Sequence, residues 1–306
     1  MFNIVEKRHW YFLLSTLIIV PGLVAMIYSI AVFGSPIKLG IDFTGGALME
    51  LRFDQQVQPA EVLQIFTDNG YPGTTVQTTA ERTVLIRTKP LEPDAKNLLE
   101  DALRQKLGTL EELRFESVGP SVGAEVTQSA SYAVIVAALF ILAFIIFAFR
   151  KVPNAFRYGV CAIAAMIHDI LVTVGLFSLA SLILGWEADA LFLTAVLTVI
   201  GFSVQDTIVV FDRIRENIPR RRGESFETIV NRSLLETIHR SLATQLNAIF
   251  VLIALLLLGG ATMKQFVAVL LVGLLSGTYS SIFNAVPLLV VWETHKLVGR
   301  AREAAA

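Results

Sequence analysis

Apolar residues along this chain gather into long unbroken runs, and the polar residues between them fall into one large block and several short ones. The first run extends from Trp10 to Phe33. Ser29-Ile30-Ala31 has the small-x-small spacing of a cleavage site, but the run exceeds the roughly 7–15 apolar residues of a secretory leader. It reads as an uncleaved membrane span with Trp10 and Tyr11 at the interface. Five more runs, at roughly 130–149, 158–184, 190–211, 236–259 and 264–292, each supply the ~20 residues a helix needs to cross the hydrocarbon. The pattern predicts six spans.

The block from 34 to 128 has a different rhythm. Ala47–Phe53 alternates as a strand, and Pro59–Asn69 has helical spacing in Val62, Leu63 and Phe66, with Gly70 as a stop. Thr74–Thr79 and Thr83–Thr88 read as two strands about a short polar turn. Pro93–Leu107 is amphipathic, with Leu98, Leu99, Leu103 and Leu107 assigned to one face, and Leu113–Val118 is a last strand. The order βαββαβ predicts an α+β, ferredoxin-like domain between spans 1 and 2. That topology hosts many functions and assigns none.

Charge sets the orientation. With the N-terminus inside, the cytoplasmic pieces hold Lys7 and Arg8; Arg150, Lys151 and Arg157; seven arginines from Arg213 to Arg240, Arg222 among them; and Lys296, Arg300 and Arg302. The short external loops hold Glu187, Asp189 and a single base, Lys264. Cytoplasmic loops carry the excess of Lys and Arg, so both termini are expected inside and the 34–128 domain outside. The expected organisation is a terminus and first span (1–33), the outer domain (34–128), a five-span bundle (129–298) with a cytoplasmic loop at 212–235, and a cytoplasmic tail (299–306). The outer domain has nine bases against fourteen acids, which argues against nucleic acid as a partner. The lone cysteine, Cys161, lies in an apolar run and reads as packing.

Polar groups inside the apolar runs are the candidates for function, because a charge at the bilayer centre costs at least ~2.5–3.5 kcal/mol and therefore tends to face a bundle interior. Asp206 leads. It lies six residues, or ~9 Å, inside the cytoplasmic exit marked by Asp212 and Arg213, with Ser203 and Thr207 near it on the helix to accept or relay a proton. Arg240, at similar depth in the next span, is its expected partner; the alternative is an arginine that snorkels to the surface. His168 and Asp169 form a third site near mid-membrane, or else a satisfied pair that ties helices together. In the last span Gly273 and Gly277 make a GxxxG pattern for close packing, beside a polar stripe of Ser276, Thr278, Tyr279, Ser280, Ser281 and Asn284. No GxxxxGK[ST] loop, no HExxH and no GxSxG strand–turn–helix motif for a nucleophile is read, so no ATP or zinc site is visible and no enzyme is expected. A buried carboxyl without a nucleotide site points to an ion gradient as the energy source. One charge crossing 100 mV releases ~2.3 kcal/mol.

Gly40-Ile-Asp-Phe-Thr-Gly-Gly46, just after the first span, resembles the GxDFTGG signature of the SecD/SecF export family. Ser117-Val-Gly-Pro-Ser-Val-Gly-Ala-Glu125 resembles that family's VGPxVGxE segment. His168-Asp169, the stretch 199–217 and Gly277–Phe283 resemble its third-, fourth- and last-span motifs. The likeness covers essentially the whole chain and is nearer to SecF than to SecD. It implies an RND-like six-span bundle in a bacterial inner membrane, with a periplasmic domain. It implies that Asp206 is a proton-responsive carboxylate coupled to Arg240, and that Gly40, Asp42, Phe43, Gly45 and Gly46 belong to a hinge. It implies work with SecD, the SecYEG channel, a translocating polypeptide and membrane lipid, with a proton or sodium as coupling ion and no other cofactor or metal. Gln205 stands where the family usually has Asn, and His239 where a small residue is common. A non-transducing scaffold, and half of an RND-type small-molecule exporter, are the other readings.

Overall fold

Each long apolar run winds into a helix that outlasts it. The computed structural model describes residues 3–150, 154–221 and 223–294. The expectations placed on Lys151, Arg222, Lys296, Arg300, Arg302 and the 299–306 tail lie outside the described residues. After a 3-10 turn at Val5–Lys7 comes α1 (Arg8–Phe33). The polar block then gives α2 (Ile41–Thr44), β1 (Gly46–Phe53), α3 (Pro59–Asp68), β2 (Thr75–Ala80), β3 (Thr83–Thr88), α4 (Pro93–Leu107) and β4 (Leu110–Val118). Four helices follow: α5 (Pro120–Ala148), α6 (Ala155–Leu184), α7 (Ala190–Arg220) and α8 (Phe226–Leu258). The last span is α9 (Ala261–Ser280), a π-helical stretch at Ser281–Ala285, and α10 (Val286–Thr294). Among the described residues, six helices are long and apolar enough to cross a membrane. They extend past the apolar stretches at one end or the other, because a helix continues through polar residues where water can solvate them.

The chain divides into two units, one of residues up to Lys38 together with those from Ala133 on, the other Leu39–Tyr132. In the second unit the four strands are antiparallel in the order β2-β3-β1-β4. Alternate residues of β1 (Ala47, Met49, Leu51, Phe53) meet Val62, Ile65 and Phe66 of α3 and Leu99, Leu103 and Leu107 of α4 in one core. Leu98 corrects the amphipathic assignment. It is 57% exposed, because it lies about 100° round the helix from the 99-103-107 stripe. Leu63 is exposed for the same reason. Gly40–Gly46 forms a corner, with α2 as a single turn inside it. Gly45 (φ 73°) and Gly46 (φ 134°) take backbone angles that favour glycine. A Cβ on Gly45 would stand 2.8 Å from Pro120 Cα, and Thr127 Oγ1 donates to Phe43 O across the same contact at 3.3 Å. Asp42 and Phe43 are half-buried there. The expected hinge is thus a packed corner against the start of α5.

In the first unit α6, α7 and the last span form the interior. Helix α1 lies on α6 with Gly22 against Gly175: a Cβ on either would be 2.8 Å from the other's Cα. Arg8 is fully buried, paired with Glu227 of α8 at 3.1 Å. Helix α5 and the far half of α8 leave large apolar side chains outward, such as Phe140 and Leu258. Surface of this kind is at home in lipid, where it costs nothing to expose.

Candidate functional site in the membrane bundle

Helices α6, α8 and α9 all pack on α7. That is why two polar clusters can sit on its two sides. The first centres on Asp169, which falls in the stripe Ala162, Ala165, Val172 that α6 buries, and is itself fully buried. Its Oδ2 accepts hydrogen bonds from Ser203 of α7 (2.5 Å) and Ser280 of α9 (2.6 Å). Its Oδ1 accepts one from Ser276 of α9 (2.6 Å) and lies 3.0 Å from His168 Nδ1. Three hydroxyl donors, with the imidazole beside them, satisfy a carboxyl that burial would otherwise penalise. His168 stacks on Tyr279 with ring centroids 6.2 Å apart, and its Nε2 is buried without a partner among the described residues.

Close packing makes this cluster possible. A Cβ on Gly273 would collide with the side chain of Val199, and one on Gly277 would be 3.2 Å from Ser203 Cα. The two glycines bring α9 onto α7 and so bring Ser276 and Ser280 within reach of Asp169. Ser281, at the start of the π-helical stretch, accepts from Thr207 Oγ1 at 3.0 Å and donates to Ser203 O at 3.1 Å. Asn284 reaches Ser15 of α1, and Tyr279 Oη donates to Tyr11 O.

The second cluster centres on Asp206, 5% exposed, on the side of α7 that faces α8. Gln245 Nε2 donates to its Oδ2 at 2.6 Å. The Ser241 hydroxyl, one turn earlier on α8, is buried beside the same carboxyl without a hydrogen bond of normal geometry.

Two expectations change here. Arg240 does not meet Asp206. It is five residues from Gln245 and so about 140° round α8, on an exposed face. Ser203 and Thr207 do not serve Asp206 either; both face α6 and the last span, and Ser203 belongs to Asp169. The amide of Gln245 went unread in the sequence, although Ser241 and Gln245 are spaced i, i+4 in an apolar run, which is the signal that could have found it.

The expectation of no GxSxG strand–turn–helix motif is corrected: Gly119-Pro-Ser-Val-Gly123 has that spacing and falls on the turn from β4 into α5. The histidines that could activate such a serine are at positions 9, 168, 239 and 295, none of them in the unit Leu39–Tyr132.

Six apolar helices, carboxylates seated between them and a four-stranded α+β unit inserted after the first helix define a multi-pass membrane protein of the transporter or translocation-motor kind. Comparison with known proteins narrows this. The model of the family "Protein export membrane protein SecD/SecF, C-terminal" matches residues 98–295, and that of the SecD/SecF GG motif matches 30–57. The chain belongs to the SecD/SecF family of protein export membrane proteins. It is 48% identical over 298 residues to the protein translocase subunit SecF of Anaerolinea thermophila, covering 96% of this chain and 95% of that one. It is 49% identical over 305 residues to the SecF of Thermobaculum terrenum, covering 96% and 94%. The crystal structure of SecDF from Thermus thermophilus, a translocon-associated membrane protein, superposes with a TM-score of 0.80 at 31% identity. That match takes in 96% of this chain and 39% of the SecDF chain.

Proposed function

We propose that this chain is the SecF-type subunit of a Sec accessory complex, working beside a SecD partner to promote late steps of protein export with energy from an ion gradient. The observation that carries the reading is Asp206: a carboxyl between two helices whose bonded partner is a neutral amide. A fixed cation would hold it charged, whereas Gln245 can donate to the carboxylate or accept from the acid. A group that tolerates both states can load a proton on one side and release it on the other. SecD is supported as a partner by the Thermus thermophilus relative "Protein translocase subunit SecDF", which this chain matches at 34% identity over 38% of that protein. The bacterial inner membrane, the inward termini, the SecYEG channel and a proton rather than sodium complete the proposal. The four-stranded unit fits a ferredoxin-like periplasmic module that contacts the emerging polypeptide. Arg240, exposed on α8, is suited to a carboxylate of the partner subunit rather than to Asp206.

Asp169 favours a second reading for itself alone. Three hydroxyl donors from two neighbouring helices are what a structural tie requires, so Asp169 is proposed to hold α6, α7 and α9 together, with His168 beside it. The test is export of a secreted protein into membrane vesicles with and without a proton gradient. Asp206→Asn is expected to assemble with the SecD partner in normal amount and to lose the gradient-dependent part of export. Normal export by that variant would end the coupling account.

A further inference from the structure

The chain leaves the bundle at Lys38, and three residues at that exit, Ser35, Pro36 and Lys38, are bonded to it. Ser29 Oγ of α1 donates to Ser35 O (3.0 Å), and Ser178 Oγ of α6, itself fully buried, donates to Pro36 O (2.9 Å). Ala188 N, in the loop from α6 to α7, donates to Lys38 O (2.8 Å). The Lys38 ammonium pairs with Glu187 at 2.8 Å, and both side chains are largely buried, at 25% and 11% exposure. The loop that receives them is short and stiff. Gly185 ends α6 in the left-handed region, Asp189 caps α7 through Phe192 N at 2.8 Å, and Phe177 packs with tilted ring contacts against both Trp186 and Phe192. None of these contacts is used by the carboxyl clusters.

The helices that hold Asp169 and Ser203 are the ones whose outer ends form this loop. Ser178 is nine residues beyond Asp169 on α6, about 14 Å along one rigid rod. We infer that Lys38 and Glu187 are positioning residues: their ion pair straps the exit of the chain to the α6–α7 loop, so that a displacement of those two helices is passed to the polypeptide entering the outer unit. The inference rests on the coupling reading above. Without the strap, the segment 34–38 would follow the helices loosely, and a shift of an ångström or two at α6 would be lost as slack in the linker.

The experiment uses the full chain with its SecD partner. Lys38→Gln and Glu187→Gln are each measured for amount of complex, for gradient-dependent export, and for hydrogen exchange at the Ala188 amide. Exchange at Ala188, whose amide bonds the Lys38 carbonyl, is expected to quicken at least about tenfold, the size of the lost charged contact between Lys38 and Glu187. Gradient-dependent export is expected to fall severalfold at unchanged amount of complex, which a pair needed only for folding would not produce. The reversed pair, Lys38→Glu with Glu187→Lys, is expected to restore both. Wild-type export by Glu187→Gln, under conditions where Asp206→Asn loses the gradient effect, overturns the strap and leaves the coupling reading standing. If Asp206→Asn exports normally, the coupling reading fails; the strap then has nothing to transmit and falls with it, whatever Ala188 does.

Discussion

Ser203 and Asp206 stand three residues apart on α7, yet the first donates to Asp169 of α6 and the second accepts from Gln245 of α8. Three residues turn an α-helix through 300°, so the two side chains diverge by about 60°. That angle is enough to send them into different interfaces. The bundle therefore keeps two carboxyls about one turn apart in depth and separates them by the body of a helix. One is saturated with hydroxyl donors, and the other has a single amide.

Gln245→Leu is expected to lower stability by about 1–3 kcal/mol, the cost of leaving a buried acceptor unpaired. Adding Asp206→Leu should recover most of the loss, since replacing both partners with apolar groups of similar shape is close to neutral. Thermal unfolding of the two single variants and the double in detergent gives the coupling directly.

Asp169→Ala should be worse. It strips the acceptor from Ser203, Ser276 and Ser280 at once and opens a void where three helices meet. A loss of roughly 3 kcal/mol or more is expected. Asp169→Asn keeps the volume and one acceptor oxygen, and should retain more of the melting temperature. Equal melting of the wild type and Asp169→Ala would show that the serines find other partners.

Gly22→Leu tests the contact of α1 with α6. The side chain has to enter where Gly175 backbone already lies, so α1 must move out. Overpacking of this sort costs about 1–3 kcal/mol. The readout is a lower yield of folded chain and a lower melting temperature, with Gly201→Leu as a control for general damage at an exposed helical glycine near which no other residue packs.

The four-stranded unit carries a pH-dependent group of its own. Lys96 Nζ lies 2.5 Å from Glu112 and 3.4 Å from Glu100. Burial, then the hydrogen bond shared with Glu112, holds the Glu100 carboxyl above its ordinary range. At Glu112 burial is outweighed by hydrogen bonds from Glu100 and Lys96, and its carboxyl is held below. The folded unit thus binds the Glu100 proton more tightly than the unfolded chain does. The stability this contributes is present below the ordinary carboxylate range and fades as the pH rises through it. Glu100→Gln, an amide that can still donate to Glu112, should melt higher than wild type at neutral pH, with the gap closing as the pH is lowered to about 4, the ordinary Glu range. A gap that widens on acidification would reverse the assignment of the two carboxyls.

Which of these features the sequence reveals follows from their range. Membrane spans are legible because the hydrocarbon imposes a length on any apolar run. Asp169, Asp206 and Arg240 stand out because charge is rare in such runs. The βαββαβ order of elements is legible from period and glycine stops, and Thr83–Thr88 and Pro93–Leu107 are found where expected. What a polar residue touches is another matter. Arg240 and Gln245 lie in the same span at compatible depths, and only the rotation of α8 about its axis, set by packing along its whole length, decides that the amide rather than the guanidinium meets Asp206. The four-residue α2 is too short for any period to show. Leu98 reads as core by composition and is turned outward by a single step of the helix.

The wide turn at Ser281–Ala285 lies beyond sequence periodicity for the same reason, and it makes the end of the described chain sensitive to phase. Val286, Leu289 and Val290 follow it and are fully enclosed. Deleting one residue within the turn would let ordinary α-helical winding resume, because a π-helical turn holds about one residue more than an α-helical one, and everything after it would keep its face. Those three side chains would stay enclosed, so a one-residue gap should be tolerated in this segment, whereas a two-residue gap, with no spare residue to absorb the second, should turn them by about 100° out of the bundle.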